Sequence, residues 1–220
     1  MAYPPQFHMA LSSPPASTPP NLPLPTMPEI IDSSRSQGLC LRLHTLGPFF
    51  RVTAEGLTGT ELGKAEGFIH PWFGGKVLHL DSIRMKRETL AMKRSIFGLG
   101  LFVGAVAIRH GFDCGCRRAE LLAINDSPAF HSRLVRFYTR MGFRAVHEVD
   151  GSSMVDLAHM LVWGGRGTRM DADIEDLLRK WKTILCCNIS LLVDANGWME
   201  PLKGCAKERK KNCQTHDEKA

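Results

Sequence analysis

Arg136-Phe137-Tyr138-Thr139-Arg140-Met141-Gly142-Phe143-Arg144-Ala145 changes its period at the glycine. Upstream, residues 127–141 place apolar side chains at helical spacing; downstream, residues 143–149 read as a strand. Glycine adopts the left-handed conformation that closes a helix at no steric cost, so Gly142 is read as the cap between the two. Outward from this junction, residues 120–124 predict a short buried strand, and residues 99–110 an apolar helix ended by Gly111. Four strands precede it, at 39–43, 49–54, 62–70 and 76–85. The last two form a hairpin across Pro71-Trp72-Phe73-Gly74-Gly75. On the other side, residues 159–163 predict a strand and residues 171–183 a helix. Asp171, Asp173, Glu175 and Asp176 stand near the positive end of that helix, with Arg179, Lys180 and Lys182 near its negative end.

The 220 residues, 44% hydrophobic and 23% charged, suit one compact domain with appendages. Residues 1–38 are rich in proline and serine and carry no acidic residue before Glu29, so they are read as a disordered extension. That composition also resembles an organelle transit peptide, with the chloroplast as the leading destination and the cytoplasm or nucleus as the alternative. Residues 39–184 form the expected domain and 185–220 a basic, disordered tail. The longest apolar run, residues 96–108, is too short to span a membrane, which takes about 20 residues, so no membrane partner is expected. Lysine and arginine exceed aspartate and glutamate by 28 − 22 = 6, and the surplus lies in the central segment, favouring an anionic partner. Nucleic acid is disfavoured, because the basic residues are dispersed and only Phe137-Tyr138 interleaves aromatics with them. The seven cysteines, Cys40, Cys114, Cys116, Cys186, Cys187, Cys205 and Cys213, show no paired half-sites at zinc spacing, and no metal is expected of them.

Lys93-Arg94-Ser95-Ile96-Phe97-Gly98-Leu99-Gly100 lies between a strand and a helix. Glycines there let a ligand approach the backbone, a helix N-terminus favours an anion, and Lys93 and Arg94 add charge; together they suit a pyrophosphate. The alternative is that Gly98, Gly100 and Gly104 only let the helix pack tightly against the sheet. A dinucleotide fingerprint is excluded by Val103, and no Gly-Lys-Ser/Thr triplet follows.

Residues 95–100 look like the R/Q-x-x-G-x-G/A loop of the GNAT-type N-acetyltransferase superfamily, and Phe137-Tyr138 with Gly142-Phe143 resembles its F-Y-x-x-x-G-F signature. The resemblance covers about residues 39–165. It implies the acyl-CoA N-acyltransferase fold: α/β (α+β), with a mixed, mostly antiparallel central sheet flanked by helices and split near its middle. It also implies an acetyl-CoA-dependent N-acetyltransferase, acetyl-CoA being the acyl donor substrate. Arg94, Ser95, Ile96, Phe97, Gly98, Leu99, Gly100 and His131 are the implied cofactor-binding positions. Ser95 stands where the family carries Arg or Gln, and His131 where many members carry Asn. The family's two helices after the first strand have no room between Leu43 and Phe49. An open acceptor site follows, so a protein lysine or N-terminal amine is the favoured acceptor over a small-molecule amine. A non-catalytic acyl-CoA-binding module of the same fold is the alternative.

Acetyl transfer to an amine needs a base, a polarised carbonyl and an acid for the leaving thiolate. Tyr138 matches the family's common general-acid tyrosine. For the base, period-two alternation puts Val77, His79, Asp81 and Ile83 on one face of a strand, which makes Asp81 the first candidate and His79 the second. Glu66 and Glu120 are weaker candidates. His110, His147 and His159 read as surface or core histidines, and Trp72, Trp163 and Trp181 as core.

Overall fold

The computed structural model describes residues 23–86, 96–150 and 165–186. Helix α1 (Met27–Ser36) precedes strands β1 (Leu39–Leu46), β2 (Phe49–Gly56), β3 (Glu61–Trp72) and β4 (Gly75–Met85). Then come α2 (Ile96–Asp113), β5 (Cys116–Ile124), α3 (Pro128–Met141), β6 (Arg144–Val149), β7 (Gly167–Asp173) and α4 (Ile174–Cys186). The seven strands form one sheet in the order β1-β2-β3-β4-β5-β7-β6, antiparallel except for β4 and β5. This is the mixed, mostly antiparallel sheet that the motifs imply. The 159–163 strand lies outside the described residues.

The parallel pair is short. Lys76–Leu80 of β4 pair with Cys116–Leu121 of β5, and there the ladder ends. Beyond it, among the described residues, β4 continues to Met85 against β3 and β5 continues to Ile124 against β7. The sheet therefore parts in its middle. The register of β3 against β4 jumps at the same place, from Gly67↔Leu80 to Glu66↔Ser82, so Asp81 is the extra residue of a β-bulge. Gly67 faces that bulge with no room for a side chain: a Cβ would lie 2.1 Å from the His79 carbonyl oxygen and 2.7 Å from the Phe50 ring.

One face of the sheet carries the core. Leu41, Val52, Ala65, Leu78, Leu121 and Met170 pack there with the apolar helix α2, and α4 closes over it. Trp181 of α4 is fully buried and its indole N–H donates to the Met141 carbonyl at the end of α3, 2.8 Å away. Gly142 caps α3 at φ +120°, as its position in the sequence implies.

Four expectations are corrected. Residues 27–36 are not a disordered extension: Thr26 and Glu29 form a reciprocal capping box, and Ile30, 0% exposed, is part of the core. Gly111 does not end α2, which runs to Asp113; a Cβ at Gly111 would come within 3.1–3.3 Å of Leu78 and Ile174, so it serves close packing. Asp171 and Asp173 belong to β7, and α4 starts at Ile174 with Asp173 accepting from the Asp176 N–H at 3.0 Å. Trp72 is largely exposed, while Trp181 is core as expected; Trp163 lies outside the described residues.

Two substitutions test this architecture. Ile30→Ala is expected to cost about 2–4 kcal/mol, the usual penalty for truncating a buried aliphatic side chain, and unchanged stability in denaturant would mean that α1 does not pack on the domain. Gly67→Ala must push against backbone and is expected to cost about 1–3 kcal/mol, read as a lowered thermal midpoint.

Candidate functional site

Alternation along the strands sends Phe68 and His70 of β3, His79 of β4, Glu120 of β5 and Arg169 of β7 to the face away from α2, because their neighbours Leu78, Leu80, Leu121 and Met170 enter the core. Glu120 is the hub of this group. One of its carboxylate oxygens, Oε1, lies 3.2 Å from His70 Nε2 and 3.3 Å from His79 Nδ1; the other, Oε2, accepts from Arg169 Nη2 at 3.0 Å. Burial alone would raise the pKa of this carboxyl. The hydrogen bonds from His79 and His70 and the charge of Arg169 outweigh it and bring the pKa to about 2. Glu120 is therefore ionised throughout the working range. His79 is 1% exposed and stacks on Phe68, ring centroids 4.4 Å apart, while His70 is half-buried and meets Trp72 edge-on.

The cluster lies next to the parting of the sheet, since His79↔Glu120 is the last register pair but one before the β4–β5 ladder ends. Asp81 lies on the other side of that boundary. It is exposed, and as the bulged residue it does not share a simple alternation with the buried His79, so the expected Asp81/His79 pair on one face is not formed. The bulge, which offsets the strand by one residue, is the physical reason. His79 pairs with Glu120 instead.

Tyr138 is packed against the core between Phe137 and Phe143, with ring centroids 5.2 and 6.0 Å away. Burial pushes its hydroxyl pKa up to about 12. His131, at the start of α3, lies 2.9 Å from the Thr168 hydroxyl and so ties that helix to β7. Ile96, Phe97, Gly98, Leu99 and Gly100 form the first turns of α2, so the helix begins three residues before its expected start and the glycines lie inside it. Gly100 brings this end of α2 close to α3: a Cβ there would touch Phe137 at 3.6 Å and Met85 at 3.8 Å. Arg94 and Ser95 lie outside the described residues. Glu66 is held by Lys64 and Arg51, whose hydrogen bonds and charge keep its carboxyl below the usual range. His110 packs edge-on against Phe50 and His147 is exposed on β6, while His159 lies outside the described residues.

Sequence reasoning missed His70 and Arg169 and ranked Glu120 low. His70 was legible: a hairpin that pairs Trp72 with Gly75 puts Phe68 opposite His79 and His70 opposite Val77, hence His70 on the face of His79. The encounter of His79 with Glu120 depends on a parallel register across an intervening helix, for which no local signal exists.

No family model and no curated protein matches the chain. Solved structures are similar to it at low identity. One is the spermidine/spermine N-acetyltransferase from Vibrio cholerae in complex with manganese ions, 14% identical over 66% of this chain and 97% of that one, TM-score 0.45. The spermidine N-acetyltransferase from the same organism, in complex with CoA and spermine, is 14% identical over 60% of this chain and 69% of that one, TM-score 0.42. A nourseothricin acetyltransferase is 16% identical over 62% of this chain and 85% of that one, TM-score 0.42.

Proposed function

We propose that the chain is an acetyl-CoA-dependent N-acetyltransferase of the GNAT type that acts on a primary amine, with a protein lysine or N-terminal amine as the favoured acceptor. The observation that carries this reading is the parting of β4 and β5 beside the Asp81 bulge, flanked by the N-terminus of α2 and by the helix that bears Tyr138. Among the described residues, the facing edges of the two strands have no ladder between them beyond Leu80 and Leu121, which leaves backbone groups for the amides of a pantetheine arm. The α2 N-terminus, with Arg94 in the segment before it, would hold the pyrophosphate.

Acetyl-CoA supplies an acetyl group already activated as a thioester. Asp81, directly or through water, takes a proton from the ammonium form of the acceptor, freeing its lone pair for the new C–N bond. Tyr138 gives its hydroxyl proton to the sulfur as the C–S bond breaks, and the second proton lost by the acceptor nitrogen on forming the amide returns the tyrosinate to the phenol. A phenol with a pKa near 12 is fully protonated at neutral pH, as a general acid must be. His79 is left out of this scheme because Glu120 and Phe68 enclose it. The two-residue turn Gly47-Pro48 between β1 and β2 carries no helices, which supports an open acceptor side and hence a macromolecular amine.

Tyr138→Phe is expected to lower kcat by about 10²- to 10⁴-fold with little change in acetyl-CoA binding, and Asp81→Asn likewise. Because Tyr138 keeps its proton until the pH approaches 12, kcat is expected to show no fall from its ionisation up to about pH 10. The direct test is incubation with acetyl-CoA and a mixed peptide and small-amine library, with products read by mass. Acetylated peptides support the proposal, and coenzyme A binding without turnover on any amine would leave the non-catalytic module as the function.

A further inference from the structure

We propose that His70, His79 and Glu120 form a binding site for one divalent transition-metal ion of the zinc class, separate from the groups assigned to acetyl transfer. The three residues come from three adjacent strands, and one ligand atom from each lies within 4.8 Å of the others. Two of the separations are 3.2 and 3.3 Å. Those match two ligand-to-ligand edges of a tetrahedron whose metal bonds are about 2.0–2.1 Å long, which gives edges of about 3.3 Å; the third edge, between the imidazoles, lies within 4.8 Å. Two imidazoles and one carboxylate, with a fourth position for water, make a donor set that zinc accepts.

The hydrogen bonds around the cluster hold two of its ligands in place. The Pro71 carbonyl, 3.1 Å from His70 Nδ1, can only accept, so Nδ1 carries a hydrogen. His70 Nε2, the other ring nitrogen, faces Glu120 Oε1 at 3.2 Å, close enough for one ion to be held by both atoms. Arg169 binds Oε2, which orients the carboxylate and leaves Oε1 to the ion. Pro71 does the same for His70 by holding the remote ring nitrogen, as a metal-bound histidine is commonly held. His70 is half-buried at the rim while His79 and Glu120 are buried, so the site is reached from one side.

This site departs from the expectation of no metal, which rested on the cysteines; its ligands meet only through strand register. It does not depend on acetyl transfer, and its test does not read activity. The full chain, stripped with chelator, is titrated with Co²⁺ and followed by visible absorption, and Zn²⁺ is then added as competitor. The expected result is one equivalent bound, the intense d–d band of four-coordinate cobalt, no sulfur-to-metal charge-transfer band, and displacement by Zn²⁺. Proton NMR of the cobalt-loaded chain is expected to show strongly shifted signals from two imidazoles, a readout that needs no variant. His70→Ala, at the rim, is expected to weaken binding at least tenfold, whereas Cys114→Ser leaves it unchanged. Absence of binding at millimolar Co²⁺ would overturn the proposal. A sulfur charge-transfer band, or full affinity in a folded His70→Ala variant, would overturn it equally.

Discussion

The approach of Gly67 to the β4 backbone is the constraint on which the middle of the molecule depends. With a Cβ position 2.1 Å from the His79 carbonyl, only glycine lets β3 follow β4 through the bulge at Asp81. One residue before the bulge, the parallel ladder to β5 stops. The two halves of the sheet separate from that point, yet they remain tied below it by five residues of β4 and above all by the shared core on α2. An opening lined by backbone edges is thus built into a sheet that is otherwise continuous from β1 to β6.

The two faces of the sheet have different work. The α2 face holds nearly all of the apolar core, with α1 and α4 completing it, so stability resides there. The opposite face carries aromatic rings and charged groups, from Phe49 and Phe68 through the two histidines to Glu120 and Arg169. A buried carboxylate in such a place is tolerable only because every oxygen has a cationic or hydrogen-bonding partner. Chemistry on this face can vary without disturbing the packing on the other. That separation accounts for a polar cluster two residues away from the bulge without a breach in the core.

Much of this was legible from residue order. The period change at Gly142, the Pro71–Gly75 hairpin and the uniformly apolar α2 each rest on local physics, and all three stand in the structure. Composition misled at the N-terminus: proline and serine dominate residues 1–38, but the capping box of Thr26 and Glu29 and a single buried Ile30 are enough to anchor a helix. At Gly111 glycine marked tight packing rather than a stop, and at Asp171 an acidic run began in a strand, with Asp173 as the actual cap. The site was half visible. Alternation found His79 and Asp81, but a bulge, which has no sequence signature here, separated them, and the parallel register that brings Glu120 to His79 is a property of the whole sheet.

The central claim is that the parting of β4 and β5 receives the acyl donor. Hydrogen exchange of the full chain with and without coenzyme A tests it most directly. Amides of residues 81–85, 122–124 and the first turn of α2 are expected to slow on ligand binding, while those of β1, β2 and α4 stay as they were. Protection confined to other elements, or none at saturating coenzyme A, would contradict it.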